Sequence, residues 1–169
     1  SGNVVFEQQG SVLTANEVVW YQQENFLKAI GNVVLTSADG SRITAAEMEY
    51  DGNTQRGIAR KNVVLTDPKQ TIKTETLYYD KIPNTAYFNT GGTIYSNDGS
   101  VMYTKSATYN LNSKMIDFVG RSNIETDKYT IVSDNIKQNQ NTGVSDFFGP
   151  TTIRDKKNPI NYVYTEQGS

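Results

Sequence analysis

The sequence predicts an all-β protein, a repeat-built ladder of antiparallel strands that bends into two facing sheets and forms an open, V-shaped β-jellyroll of about twelve strands. Three observations predict this fold: strand-forming composition, an internal repeat of about thirty residues, and two turn signals in each repeat. Eleven of the 169 residues are Tyr, and Thr, Val and Ile are frequent. Aromatic and β-branched residues favour strands over helices.

The composition excludes several classes of function. The chain has no Cys and no His, so it lacks a thiol nucleophile, an imidazole base and the usual ligands of a zinc site. Its formal net charge is −2 and it has no run of Lys and Arg, which argues against a nucleic-acid partner. No cofactor-binding motif is present. We therefore expect neither an enzyme nor a protein with a cofactor or metal.

An internal repeat divides the chain. Its copies are residues 2–30, 31–60, 61–90, 91–120 and 121–150, with a partial sixth from 151, and we expect residues 1–169 to form a single domain. The chain opens inside a repeat with no visible secretion signal, so we expect a piece of a longer chain. No apolar stretch approaches the roughly 18 residues that a membrane-spanning helix needs.

Equivalent positions of the repeats form columns of similar residues. The first apolar column is Val5, Val34, Val64, Ile94, Ile124 and Ile153. The second is Leu13, Ile43, Ile72, Met102, Ile131 and Val163, and the third is Val18, Met48, Leu77, Ala107 and Ile136. A column of small residues is Ala15, Ala45, Thr74, Thr104, Ser133 and Thr165. One aromatic column is Trp20, Tyr50, Tyr79 and Tyr109. A second column begins with Ile58 and continues with Phe88, Phe118 and Phe147.

Turn residues and a change of phase predict how the strands run. Pairs such as Asp39-Gly40 and Pro83-Asn84 mark two turns per repeat, so two strands per repeat restore the chain direction and stack the columns along one axis. Ile43 and Ala45 occupy alternate positions, and so do Met48 and Tyr50, but Met48 lies an odd number of positions after Ala45. Such a change of phase within one strand requires a bulge or corner. Each strand therefore bends once, and the apolar columns line the inside of a V.

The sequence resembles the OstA family of lipopolysaccharide-transport proteins, which includes LptA-type periplasmic proteins. The signature is Gly31-Asn32-Val33-Val34-Leu35, a turn, and a strand that ends at Tyr50-Asp51, and it recurs along most of the chain. The resemblance is greatest to the OstA-like proteins of Bacteroidetes. It implies a twisted, semi-open jellyroll in the periplasm, either free there or attached to the inner or outer membrane through regions outside this chain. It also implies lipopolysaccharide, with its lipid A acyl chains, as the ligand, and no catalytic motif.

The inward columns are the candidate lipid-binding residues, while neighbours such as Val33 are expected to face outward. These candidates are Val34, Ile43, Met48, Val64, Ile72, Leu77, Phe88, Ile94, Met102, Phe118, Ile124 and Ile131. An open V exposes an apolar trough, and such troughs usually bind a ligand. The same columns also suit a closed core, so the alternative is a structural or protein-interaction scaffold without lipid.

Two further features concern the ends and the turns. Residues 4–7 and 160–166 resemble incomplete rungs, which predicts pairing of edge strands with a second copy or with another Lpt-type jellyroll protein, unless the ends simply fray. Asp51, Asp80, Asn110 and Asn139 form a polar column. Their place at the start of a turn favours Asx-turns over cation ligands.

Overall fold

The computed structural model describes residues 4–8, 10–158, 162–165 and 168, apart from the side chains of Gln8 and Tyr162. The regular elements of these residues are all β-strands. They are β1 (Val4–Gln8), β2 (Ser11–Ala15), β3 (Glu17–Tyr21), β4 (Phe26–Thr36), β5 (Arg42–Asp51), β6 (Arg56–Thr66), β7 (Gln70–Asp80), β8 (Thr85–Phe88), β9 (Gly92–Ser96), β10 (Val101–Asn110), β11 (Met115–Glu125), β12 (Tyr129–Asn139), β13 (Ser145–Phe147), β14 (Thr151–Asp155) and β15 (Tyr162–Thr165).

The strands form one antiparallel ladder that follows the order of the sequence. Three rungs are broken in two: β2 and β3 share the partner β4, β8 and β9 lie between β7 and β10, and β13 and β14 share the partner β12. The fifteen strands therefore make twelve rungs. The predicted all-β jellyroll class is confirmed, with the difference that the two predicted sheets are halves of one continuous sheet.

The sheet folds along a line that crosses the long strands near their middles. Register shifts mark this line, for example between Thr44 and Glu47 in β5, where the sequence pattern changes phase. Gly31 and Gly120 lie on the line with φ values of 82° and 85°, which glycine adopts without steric cost. The predicted bend is confirmed. We call the two halves the first arm, which carries β1, β2, β9, β14 and β15, and the second arm, which carries β3, β8 and β13; the longer strands run through both.

Hydroxyl side chains line the inside of the bend in the middle and C-terminal parts of the ladder. Ser133 and Thr151 are fully buried, and their hydroxyl oxygens lie 2.6 Å apart. The Thr151 hydroxyl also donates to the carbonyl of Gly149, two residues earlier, and the Thr74 hydroxyl donates to the carbonyl of Gly91 on the neighbouring segment. These bonds satisfy carbonyls beside the breaks in the ladder. The small-residue column of the sequence therefore supports the bend.

The strand register corrects the first apolar column. Leu65, and not Val64, pairs with Ile72 on the inward face. Val33 is fully buried, so the prediction that Val34 and Val64 face inward and Val33 faces outward is wrong. The turn from β6 to β7 is one residue shorter than the turn from β4 to β5, and a constant spacing missed this change. An offset of one residue exchanges the two faces of a strand.

Polar residues at the second-arm turns serve the backbone. Asp51 Oδ1 accepts hydrogen bonds from the backbone N–H groups of Asn53 and Thr54 at 2.9 and 3.3 Å. Asn110 and Asn139 accept the same pair of bonds in later turns. These are Asx-turns, as expected. Among the described residues, no three acidic side chains are grouped to hold a metal ion. The same residues include no helix that is long and apolar enough to cross a membrane.

The ladder ends on β1 and β15. Each pairs with one neighbouring strand, β1 with β2 and β15 with β14, within the part of the chain that the structure describes. Of the two predicted end segments, residues 4–7 lie in β1 and residues 162–165 form β15. Ile160, Asn161 and Glu166 lie outside the described residues.

Candidate functional site

Two rows of apolar side chains line the space between the arms, and both run along the axis of the ladder. The first-arm row is Phe6, Leu13, Leu35, Ile43, Leu65, Ile72, Ile94, Met102, Ile124, Ile131, Ile153 and Val163. The second-arm row is Val18, Ala29, Met48, Ala59, Leu77, Phe88, Ala107, Phe118, Ile136 and Phe147. Strand alternation places each row on one face of its arm.

Most of this interior is a packed core. Ile72, Ile94, Met102, Phe118 and Ile136 each expose 2% or less of their surface. Side chains packed at the density of a protein interior leave no room for hydrocarbon between them. The interior is therefore not open along its whole length, contrary to the expected end-to-end trough.

An apolar cavity of about 90 Å³ remains between the arms at the N-terminal rungs and opens to solvent. Its apolar lining comes from Phe6, Leu13, Leu35 and Ile43 in the first arm and from Leu27, Met48, Gly57, Ile58, Ala59 and Leu77 in the second. Its remaining lining residues are Ser11, Ser37, Glu49, Tyr50, Tyr79 and Lys81. The cavity is thus a hydrocarbon-lined space with polar groups among its lining residues.

Small residues in β6 create this cavity. Gly57 lies opposite Tyr50 and Tyr79, and Ala59 lies opposite Met48 and Leu77. Two repeats further on, the equivalent positions in β11 carry an isoleucine and a phenylalanine, and both of these side chains are buried. The same backbone frame is therefore hollow where the side chains are small and filled where they are large.

Two tyrosines from the aromatic column line the cavity. The Tyr79 hydroxyl donates to Asn84 Oδ1 at 2.7 Å. Burial, with smaller contributions from nearby acidic groups including Asp39, raises the pKa of Tyr79 to about 12. Burial also raises the pKa of Tyr50. Both phenols are therefore neutral at physiological pH, and they present apolar rings to the cavity.

Three polar contacts join turns of the first arm to turns of the second, and we call them clasps. Asn84 Nδ2 donates to Asp39 Oδ2 at 3.4 Å, and Gln140 Nε2 donates to Ser96 Oγ at 3.1 Å. The middle clasp, between these two along the ladder, joins Asp67 to Lys114. The paired residues are separated by 45, 44 and 47 positions in the sequence. Each clasp therefore joins turns about one and a half repeats apart, so the arms are staggered.

The middle clasp is a buried ion pair. Asp67 has a side chain that is 1% exposed, and its Oδ2 lies 3.2 Å from Lys114 Nζ. The Tyr109 hydroxyl donates to the same oxygen at 2.5 Å, and Gln70 Nε2 donates to it at 2.9 Å. Backbone N–H groups of Lys69 and Gln70 donate to Oδ1. A buried carboxylate requires such donors, because its desolvation is costly.

Burial, together with the bond to Asp67, raises the pKa of Tyr109 far above its ordinary value. The Tyr109 hydroxyl therefore remains a donor, and it points to a buried carboxylate rather than to water. The aromatic column therefore does not present its hydroxyl to water at this residue. Tyr109 instead bridges the arms at the middle clasp, away from the residues that line the cavity.

The predicted contact residues fall into three groups. Ile43, Met48 and Leu77 line the cavity. Those in the packed interior are Ile72, Phe88, Ile94, Met102, Phe118, Ile124 and Ile131. Val34 and Val64 face the outside. Leu35 and Ala59 were not among the predicted contact residues. They directly follow the predicted column residues Val34 and Ile58, so only the corrected register identifies them. Contact with lipid stays a prediction for every one of these residues.

The bent ladder and its cavity define a class of protein, the repeat-built β-jellyroll with an apolar interior. The chain matches the family described as OstA-like protein over residues 1–134, and it belongs to that family. The resemblance predicted from the sequence is confirmed.

Comparison of structures identifies a similar fold in LptH of Pseudomonas aeruginosa, described as the LptA-homologous periplasmic component of the lipopolysaccharide transport device. The two share 13% sequence identity with a TM-score of 0.57, and the match covers 63% of this chain and 80% of LptH. The TCP10 domain of Danio rerio CPAP aligns over 98% of this chain and 99% of its own at 11% identity, but with a TM-score of 0.18. No curated protein sequence matches the chain.

Proposed function

We propose that this chain is a periplasmic module that binds and transports lipopolysaccharide, shields its acyl chains in the apolar interior, and forms part of a bridge between the inner and outer membranes. The observation that carries the proposal is the apolar cavity at the N-terminal rungs, which opens to solvent between the two arms. The role is that of a binding protein, and no catalytic step is part of it.

The physical support is the transfer of hydrocarbon out of water. Each methylene that leaves water for an apolar site gains about 0.8 kcal/mol. A cavity of about 150 Å³ lined by Leu, Ile and Phe binds benzene in another protein, so a space of about 90 Å³ with an open mouth suits part of an acyl chain. Such binding needs no directional chemistry, which agrees with a lining of Leu, Ile, Met and Phe.

The family and its structural relative support the choice of ligand. The chain belongs to the OstA-like family, and LptH, which shares the fold, is described as a component of a lipopolysaccharide transport device in the periplasm. The proposal transfers that ligand and that location to this chain. We also propose that the twelve rungs act as one domain within a longer chain.

The end strands of the ladder support the bridge. β1 and β15 each have one strand neighbour among the described residues, and an unpaired strand edge is a template for strand addition. We propose that another Lpt-type jellyroll, or a second copy of this chain, pairs there. Pairing would continue both the ladder and the interior rows into the neighbouring molecule.

Photo-crosslinking at adjacent residues tests the proposal. Leu35 lines the cavity, while its neighbour Val34 lies on the opposite face of β4. A photoreactive phenylalanine analogue is placed at each position in turn, and each protein is irradiated with purified lipopolysaccharide. We expect a lipopolysaccharide adduct at position 35 and none at position 34.

A variant with a filled cavity provides the second part of the test. Ala59→Phe installs the residue that the two following repeats carry at the equivalent position, so the fold should tolerate it while the cavity is lost. Adduct formation at Leu35 should then fall to background, with unfolding temperature unchanged or higher. Equal labelling at both positions, or no labelling at either, would contradict a lipid site here. Complete silence would favour the alternative of a scaffold without lipid.

A further inference from the structure

We infer that the cavity selects acyl chains by length, with the ring of Phe88 as the wall at its inner end. The inference rests on the proposed function and names the property of the ligand that the same site discriminates. It is carried by the extent of the cavity, by the burial of Phe88, and by the contacts that hold this ring in place.

The cavity has a defined length along the axis of the ladder. Its lining comes from β1, β2, β4 and β5 in the first arm and from β4, β5, β6 and β7 in the second. Four neighbouring strands span three gaps of about 4.8 Å, which gives about 14 Å. One leaflet of a bilayer has a hydrocarbon thickness of about 15 Å. The cavity is therefore about as long as one leaflet is thick, and an acyl chain along the axis fits it only up to about 14 Å.

Phe88 is the next residue of the second-arm row beyond Leu77, where the cavity ends. It is 2% exposed, and it lies on the strand that follows β7 in the ladder. The equivalent residue one repeat earlier is Ala59, which lines the cavity. The change from a methyl group to a phenyl ring at this one position therefore separates the hollow part of the interior from the packed part.

The Phe88 ring has little freedom to move aside. It packs over Gly92, so closely that a Cβ atom at that position would lie 2.6 Å from two of the ring carbons. On the far side of the wall the row continues with Ala107 and Phe118, both 2% exposed. A displaced ring would have to open this packed core, which costs more than one further methylene gains.

Two of the clasps hold the arms together near the wall. The clasp of Asp39 with Asn84 lies on one side of Phe88 along the ladder, and the clasp of Asp67 with Lys114 lies on the other. A chain that is too long must therefore leave its surplus methylenes in water where the cavity opens to solvent. Affinity then rises by about fourfold for each added methylene while the chain still fills the cavity, and it stops rising once the chain end meets Phe88.

A homologous series of single-chain saturated amphiphiles with one shared headgroup tests this inference. Their dissociation constants are measured by calorimetry below the concentration at which they form micelles, on the wild-type chain and on Phe88→Leu. We expect affinity to level off at a definite chain length in the wild type and at a greater length in Phe88→Leu. Phe118→Leu is the matched control, because it makes the same change one repeat deeper, and its limit should equal that of the wild type.

The outcomes separate this inference from the proposed function. Binding whose affinity keeps rising with chain length, or an identical limit in wild type and Phe88→Leu, overturns the length selection and leaves the lipid site standing. A shift of the limit in both variants also overturns it, since the wall would not be Phe88. Failure of every chain length to bind the wild type contradicts the proposed function itself. Thermal unfolding of each variant shows whether it is folded, and Ala59→Phe, which should bind no member of the series, tests the same cavity without removing a core ring.

Discussion

Lys114 reaches from the second arm across the mouth to Asp67 in the first, with 3.2 Å between Nζ and Oδ2. A surface pair, Arg56 with Asp80, has the same distance, but its arginine side chain is 72% exposed. The two pairs have the same distance between nitrogen and oxygen and differ in burial. Burial is what makes the loss of one partner costly, because the remaining charge cannot recover its hydration.

Lys114→Met should therefore lower the free energy of unfolding by about 2 kcal/mol, since it leaves the Asp67 carboxylate buried without its cation. Arg56→Met should change it by less than about 0.5 kcal/mol. Denaturant titration of the two variants measures both quantities. A cost for Lys114→Met as small as that for Arg56→Met would show that the mouth is not held by this pair.

The contact between Phe88 and Gly92 predicts a strong coupling. Gly92→Ala should destabilise the protein by about 1–3 kcal/mol, because the added methyl group overlaps the Phe88 ring. In a Phe88→Leu background the same change should cost less, while in a Phe118→Leu background it should keep its full cost. A double-mutant cycle from equilibrium unfolding measures the difference, and simple additivity of Gly92→Ala with Phe88→Leu would contradict the close packing.

The register of β6 predicts opposite behaviour for two neighbouring residues. Leu65 is 1% exposed within the interior row, and Val64 lies on the other face. Leu65→Ala should cost about 2–5 kcal/mol, as expected for a buried leucine, and Val64→Ala about 1 kcal/mol or less. Unfolding free energies decide the point, and a larger cost at Val64 would restore the register that constant spacing predicted.

Tyr79 predicts a loss of stability at alkaline pH. Burial raises its pKa in the folded state from 10.0 to about 12, so the folded protein binds its proton more tightly than the unfolded chain does. The resulting stability is complete below pH 10.0 and is lost as pH rises toward about 12. The variant Tyr79→Phe lacks the hydroxyl proton, so this contribution to the pH dependence of stability is absent from it.

Unfolding temperature measured over that alkaline range should therefore fall more steeply for the wild type than for Tyr79→Phe. Other groups, including Tyr109, titrate in both proteins and cancel in the comparison. Parallel curves would mean that the Tyr79 hydroxyl is as well hydrated in the folded protein as in the unfolded chain.

Much of the architecture could be predicted because it depends on local chemistry. Turn pairs such as Asp39-Gly40, the change of phase between Ala45 and Met48, and glycines at the bend act over a few residues, and they determine strands, turns and the corner. The register of the first column could not be predicted in the same way. It depended on one shortened turn, and an offset of one residue sends Val64 rather than Leu65 to the outside.

The sequence by itself determined the repeat, the all-β ladder, the family and the absence of thiol and imidazole chemistry, because these depend on composition and on patterns within one repeat. Only the tertiary structure decided where the interior is hollow and what closes its mouth. The cavity depends on which side chains from two arms face each other, and the clasps join residues 44 to 47 positions apart. Such contacts follow from the stagger of the arms, which no local pattern records.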